Sequence, residues 1–381
     1  MPLPGSACVS QNNETRAREV RSEHLPTLDG WRGLAILTVL LGHGQLAISP
    51  PEYSQIAFFR AFNGFGGYGV ELFFAISGLL ICYKLGTERV ATGRLDLMQF
   101  YGRRIFRLLP SAVFYILCIC LLAAFGLIIV TAGEIFASLF FFRNYWSSFQ
   151  MPRGHYTSHF WSLSVEEQFY LVIPFAIAMV RWRTLFYSLP LVCFAVALWR
   201  GLESHYGLTT TLFPQLVADT GRTDLCIDHL IWGAWFGLIL ANHQGREKLR
   251  RLIGPAWVQG ALLLAFLALI TLPIPARKIW IASLTPALLV STILNPSTWL
   301  GFLLEKRLLA WTGRISYSLY LWQQLFLLQI GIPESEFAQW PVRLFQNFPL
   351  GLPATFLAAA LSYYLIEQPL RRRGYRWLRS S

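Results

Sequence analysis

Apolar residues fall along this chain in long blocks, at 30–48, 68–86, 109–130, 161–180, 185–199, 225–241, 256–272, 279–294, 315–332 and 351–367, separated by short polar or basic connectors. A helix needs about 20 predominantly apolar residues to cross a bilayer, so each block predicts one membrane-spanning helix. A further block at 134–142 is too short to cross and reads as a re-entrant or interfacial helix. Residues 1–24 are polar, lack apolar periodicity and predict a disordered tail. The expected organisation is an all-α polytopic membrane bundle of about ten crossings. It comprises an N-terminal tail (1–24), a single membrane domain (25–373) and a C-terminal tail (374–381).

Composition agrees with that pattern. Of 381 residues 55% are hydrophobic and only 14% charged, with a mean hydropathy of +0.46; a soluble domain carries about a quarter charged residues. The net charge of +12 reads as topology rather than nucleic-acid binding, because basic residues collect in cytoplasmic loops. With both termini cytoplasmic and ten crossings, 24 of the 32 Lys and Arg lie inside. If 134–142 also crossed, Arg371, Arg372 and Arg373 would face outward, so ten is the better count. No cleavage-site pattern follows the first apolar block, which predicts a retained helix rather than a removed signal peptide. Five of the six cysteines lie in or beside apolar blocks without Cys-x-x-Cys spacing, which indicates neither zinc nor a disulfide framework.

Ionisable residues inside such blocks are costly and mark sites. In the first, Arg32 and His43 are eleven positions apart, close to three turns, and so share a helix face about 16 Å apart. His43 reads either as a proton acceptor or as a packing residue bonded to a neighbouring helix. On the third block's cytoplasmic lip, Arg103, Arg104 and Arg107 suit a polyanion or lipid head groups. In the fourth, Ser162, Glu166 and Tyr170 share a face, and the adjacent Glu166 and Glu167 cannot both face lipid. Glu71 is the acid of the second block. Arg222 and Asp224 either bind a polar acceptor or pair with one another, and Ser316, Tyr320 and Gln323 predict a polar cavity wall. His155 and His159 have metal-ligand spacing but lie in a loop-like stretch, so no metal is expected. Gly64–Gly69 matches a dinucleotide fingerprint without the strand it requires.

In their order these segments resemble the acyltransferase 3 family of membrane O-acyltransferases, from Leu28 to Arg373. The residues that carry the resemblance are Leu28-Asp29-Gly30-Trp31-Arg32-Gly33-Leu34-Ala35 with His43, the Phe73-Phe74-Ala75-Ile76-Ser77-Gly78 segment, Arg103 to Pro110, and Trp161-Ser162-Leu163 through Glu166-Glu167-Gln168-Phe169-Tyr170. Weaker matches are Arg222 with Asp224 and Gly233, Ser316 to Trp322, and Glu367 to Arg371. Two departures stand out: Glu71 occupies a position where Asp is usual, and Gln323 follows Leu321-Trp322 where family members often have His. The resemblance implies a transferase in the bacterial inner membrane that moves acetyl from cytoplasmic acetyl-CoA to a hydroxyl of an envelope or exported glycan or glycolipid, such as a lipopolysaccharide. His43 would be the general base, Glu166 or Glu167 its partner, Arg32, Arg103, Arg104 and Arg107 the donor site, and Glu71, Ser162, Tyr170, Arg222, Asp224, Ser316, Tyr320 and Gln323 acceptor or cavity residues. The alternative is a proton-coupled transporter or flippase of a glycan or metabolite, which intramembrane His, Glu and Arg also build. No second copy of the Arg32/His43 pattern marks the repeated halves expected of such a transporter. A lipid-bound assembly scaffold is a third class, but it would not need polar residues inside so many spans.

Overall fold

Each apolar block has become a helix, and the computed structural model is all-helical, with no strand among the described residues (25–44, 65–146, 154–212, 221–328 and 338–380). The principal helices are α1 (Leu28–His43), α2 (Phe65–Thr92), α3 (Leu97–Ala124), α4 (Ala132–Leu139), α5 (Phe160–Met179), α6 (Trp182–Tyr206), α7 (Asp228–Ala241), α8 (His243–Ile253), α9 (Ala256–Thr271), α10 (Arg277–Leu294), α11 (Arg307–Arg314), α12 (Ser316–Phe326), α13 (Gly351–Ser362) and α14 (Gln368–Ser380). Four of them, α2, α3, α6 and α10, are by themselves long and apolar enough to cross a membrane. The pair α8 and α9 qualifies as a fifth if it is one span, broken by a bend of 76°. The short block at 134–142 forms the eight-residue α4, closed by a Thr131–Glu134 capping box. The N-terminal tail lies outside the described residues.

The centre of the bundle is α2, which packs on α7 and α1. Gly233 and Gly237, one turn apart on α7, rest against the Ala75 and Leu79 carbonyls of α2, and Gly78 rests against the Leu230 carbonyl. A Cβ at any of these three positions would collide with backbone, so small residues set this close crossing. The entry to α1 is pinned by hydrogen bonds: Trp31 Nε1 donates to Thr292 Oγ1 at 2.9 Å, and the Thr27 and Thr292 hydroxyls are 3.0 Å apart. Glu305 accepts from the Thr27 backbone N–H. These contacts hold the start of α1 against α10 and the segment that leads into α11, and thereby fix the height of Arg32 and His43.

At two places the helices run further than apolar blocks predict. The arginines before Pro110 lie well inside a helix, because α3 begins at Leu97 and continues through the proline. The chain also does not stop at Pro369. A π-helical turn at Tyr363–Glu367 passes into α14, and residues expected to form a C-terminal tail are helical to Ser380. Directly before Pro369 the Gln368 N–H reaches five residues back to the Tyr363 carbonyl, and this π-helical turn lets the helix pass a residue that has no N–H of its own. The apolar residues of α14 dock on α3, with Phe106 and Trp377 edge to face at 6.2 Å and Leu378 beside Gly102.

Candidate active site

Five helices converge on a partly open cavity of roughly 700 Å³, counting the space continuous with its exterior. Arg32 enters from α1, Arg104 and Arg107 from α3, Ser162, Glu166 and Tyr170 from α5, and Ser316, Tyr317 and Tyr320 from α12. The wall from α2 includes Val70, Phe73, Ser77, Leu80 and Ile81. These recur at helical spacing along one face of α2. The sequence marks Ser77 as half of a small Ser77-Gly78 pair suited chiefly to close packing and Tyr317 as part of the polar run from Ser316 to Gln324, and neither is among the expected site residues, although that spacing is the signal that places Ser77 on the cavity face. Lys84, one turn beyond Leu80, lies within the electrostatic influence of Arg107, Arg32 and Arg103.

The paired glutamates divide. Glu166 lines the cavity and its Oε2 accepts from Tyr170 Oη at 2.9 Å. Glu167 does not line it, and lies 3.6 Å from Arg104 Nη2. The three arginines divide as well. Arg104 lies flat on the Tyr170 ring, 3.2 Å from its centroid, and is thus held by α5. Arg103 donates to Gln99 and does not line the cavity. Arg107 has no hydrogen bond or ion pair among the described residues, and Arg32 has only Asp29 at 3.7 Å. Arg32 and Arg107 are therefore the cavity cations most available to an anion.

His43 is not in the cavity wall. It occupies the far end of α1, where its Nδ1 is 3.2 Å from Gln323 Oε1. An amide oxygen only accepts, so the proton sits on Nδ1 and Nε2 keeps its lone pair. A stripe on α12 joins the two regions: Ser316 and Tyr320 line the cavity, and Gln323 is one turn further along. At the top of the cavity the Ser162 and Tyr320 hydroxyls meet at 2.5 Å, and Tyr320 also donates to the His159 carbonyl at 3.1 Å. The expected pairing of a glutamate with His43 is not what the structure brings together. Glu166 lies one turn past Ser162 toward the arginines, and Gln323 takes the place beside the imidazole.

The remaining candidates are elsewhere. Arg222 is buried in a network of its own, with Asp224 at 2.6 Å, Thr209 at 3.0 Å and Glu203 at 3.3 Å. Asp224 also accepts from Trp199 Nε1 at 2.8 Å. The charges at this end of the fold thus pair with one another. Glu71 faces α7, 3.7 Å from His229 Nε2. Gln168 bridges Asn144 and Thr223, tying the middle of α5 to its neighbours. No group of three metal-ligating side chains occurs among the described residues.

Comparison with known proteins gives this arrangement a context. A family model described as an acyltransferase domain matches residues 25–367. YrhL of Bacillus subtilis, named as a candidate peptidoglycan O-acetyltransferase, is 29% identical over 93% of this chain and 56% of its own length. The peptidoglycan O-acetyltransferase OatA of Listeria monocytogenes is 26% identical over 94% of this chain and 58% of its own. A candidate O-acetyltransferase of Staphylococcus aureus is 26% identical over 96% and 60%. The chain therefore spans little more than half the length of these relatives. No solved structure matches it.

Proposed function

Because the chain belongs to the acyltransferase family whose model covers residues 25–367, we propose that it is a membrane O-acetyltransferase that moves acetyl from cytoplasmic acetyl-CoA to a hydroxyl of an envelope glycan. The relatives named for peptidoglycan O-acetylation favour a peptidoglycan-type sugar as acceptor. In this reading the chain crosses a bacterial cytoplasmic membrane about ten times with both termini inside, in keeping with a helix at each apolar block and with the inward bias of Lys and Arg.

One observation carries the proposal: a single helix bears Arg32 in a cationic cavity and, about 16 Å further along, an imidazole whose free nitrogen is Nε2. Coenzyme A is a polyanion joined to its thioester by a long flexible arm. Arg32 and Arg107, with Lys84 at the same end, supply cations for its phosphates, and the arm directs the acetyl group toward His43. His43 Nε2 takes the proton of the acceptor hydroxyl as the oxygen attacks the thioester carbonyl. The new C–O bond forms, the C–S bond breaks, and the departing thiolate recovers the proton from the imidazolium. General-base catalysis of this kind contributes about 10²–10⁴-fold.

The test is acetyl transfer by protein reconstituted in nanodiscs, followed by thiol release from acetyl-CoA and by the acetyl mass increment on the acceptor. The His43→Ala variant, shown to be folded by its melting temperature, is expected to lose transfer by at least about a hundredfold. Undiminished transfer by that variant refutes the assignment of the base. Absence of any acetyl-CoA turnover or acetyl-CoA-dependent stabilisation in the wild type refutes the proposed activity.

A further inference from the structure

The cavity stops one helical turn short of His43, and two helices show it independently. Along α2 the last lining residue in that direction is Val70, and one turn further is Gly66, from which a Cβ would stand 3.6 Å from His43 Nε2. Along α12 the last lining residue is Tyr320, and one turn further Gln323 holds His43 Nδ1 at 3.2 Å. The rotation of α12 is fixed by the following residue as well, with Gln324 Nε2 3.0 Å from His155 Nδ1. The two helices meet at the end of the cavity, where the Phe73 and Tyr320 rings stand edge to face at 6.3 Å. At 1.5 Å of rise per residue, both registers put the imidazole about 4.5–6 Å beyond that end, measured along the helices.

That interval matches the reaction. A general base lies about 2.6–3.2 Å from the oxygen whose proton it takes, and that oxygen lies about 3–3.5 Å from the carbon it attacks. With the acceptor hydroxyl beside His43 Nε2, the thioester carbonyl falls at the end of the cavity, among Val70, Phe73, Ser162 and Tyr320. Val70 and Phe73 are apolar. The other polar lining residues of these helices lie at least one turn nearer the arginines, Ser77 from Phe73, Glu166 from Ser162 and Tyr317 from Tyr320. Of the lining side chains, the Ser162 and Tyr320 hydroxyls are the donors at this end.

These two hydroxyls share one acceptor. The His159 carbonyl is 3.1 Å from Tyr320 Oη and 3.2 Å from Ser162 Oγ, and the two hydroxyl oxygens are 2.5 Å apart. Whichever O–H takes the carbonyl, the other donates to its neighbour. When Ser162 takes it, the Tyr320 proton can turn from Ser162 to a substrate oxygen and leave neither an O–H nor the carbonyl unpaired. Both residues are buried, and a donor in a water-excluded site acts strongly on the charge that gathers on a carbonyl oxygen under attack.

We propose that Tyr320 is a second catalytic residue of the acetyl transfer, its O–H turning from Ser162 to the thioester carbonyl oxygen as His43 activates the acceptor hydroxyl, with Ser162 as the positioning residue that frees it. The inference rests on the transferase reading above. As the acceptor oxygen bonds to the carbonyl carbon, the carbonyl electron pair moves onto its oxygen, and the Tyr320 hydrogen bond stabilises that oxyanion without giving up the proton. The carbonyl then re-forms, the C–S bond breaks, and the thiolate leaves with the proton held by His43.

The experiment measures acetyl transfer in nanodiscs, with acetyl-CoA as donor and a chitin oligosaccharide as acceptor, for wild type, Tyr320→Phe, Ser162→Ala and the double variant. Tyr320→Phe keeps the ring and leaves Ser162 bonded to the His159 carbonyl, so its melting temperature should stay close to that of the wild type. Its kcat is expected to fall by about 10²–10³-fold, the usual cost of an oxyanion donor, with the donor KM nearly unchanged and the pH profile keeping the limb due to His43. Ser162→Ala leaves Tyr320 tied to the His159 carbonyl and is expected to lower kcat about tenfold. The double variant is expected to be no slower than Tyr320→Phe, because Ser162 acts through Tyr320. If Tyr320→Phe is not obtained folded, Ser162→Ala decides by the same readouts. The proposal is overturned by an unchanged kcat in the deciding variant, by a greater loss in Ser162→Ala than in Tyr320→Phe, by additive losses in the double variant, or by disappearance of the pH limb. In each of those cases transfer by the wild type leaves the parent reading intact. A wild type that does not turn over acetyl-CoA refutes both.

Discussion

The contact between Gln323 and His43 can be broken by Gln323→Leu, a change that keeps side-chain volume close to the original. Gln323 is fully buried, and while its Oε1 accepts from His43 Nδ1–H, its Nε2 has no partner among the described residues. Replacing it with Leu therefore removes one made hydrogen bond and one unmade one. A neutral hydrogen bond contributes about 0.5–1.5 kcal/mol net, and a buried unsatisfied group costs about 1–3 kcal/mol. The variant gains from losing the orphan amide, but His43 Nδ1–H loses its acceptor, and the two changes nearly offset. The melting temperature should stay close to that of the wild type. Activity should respond differently. About 1 kcal/mol of bias toward the Nδ1–H tautomer is lost, a factor of about five in the ratio of the two tautomers and at most that in the productive form, since about 1.4 kcal/mol is tenfold in an equilibrium constant. Freed rotation of the ring adds to this, giving an expected fall in kcat of roughly tenfold at constant donor KM. The assay is thiol release from acetyl-CoA in nanodiscs, paired with a thermal melt of the same sample. A full-rate Gln323→Leu enzyme with an unaltered melt would refute the idea that Gln323 holds the base, and a tenfold loss accompanied by a large destabilisation would reduce its role to packing.

Arg107→Ala should raise the KM for acetyl-CoA about tenfold with little change in kcat, the signature of binding lost uniformly in ground and transition states. Arg104→Ala, whose guanidinium is stacked on Tyr170, should instead lower stability by about 2 kcal/mol, read by thermal melting, because a desolvated cation–π contact is lost. A donor-specific KM effect in Arg104→Ala alone would reverse these two assignments. Arg222→Ala removes the cation that faces the buried Glu203 and should destabilise the protein by about 3 kcal/mol. Any folded Arg222→Ala fraction should keep the wild-type donor KM, and an altered acceptor KM would return Arg222 to the substrate site.

Local spacing carried some of the site and missed the rest. Arg32 and His43 lie on one helix, so their separation follows from rise per residue alone. Ser162, Glu166 and Tyr170 share a face for the same reason, and all three line the cavity. What spacing could not reveal was which of two adjacent glutamates turns inward, because that depends on how α5 is rotated against α3 and α12. Nor could it show that Arg104 is engaged with Tyr170 while Arg107 has no hydrogen bond or ion pair among the described residues, although both lie on the same lip of α3. The ends of apolar blocks misled as ends of helices, since α3 begins at Leu97, twelve positions before its block, and α14 carries the chain to Ser380 through the expected C-terminal tail.

The amino-acid order by itself determined an all-helical membrane protein, the registry of Arg32 and His43, and the clustering of charge at the ends of apolar blocks. Each of these follows from a helical period, or from the cost of placing charge in hydrocarbon, acting over one or a few turns. Only the tertiary structure decided the partners: Gln323 for His43 across 280 positions and Tyr320 for Ser162 across 158, together with Gln324 for His155 and the self-contained network around Arg222. Hydrogen bonds between side chains so distant in sequence are set by helix rotation and close crossings such as those at Gly78, Gly233 and Gly237, and no local period encodes them.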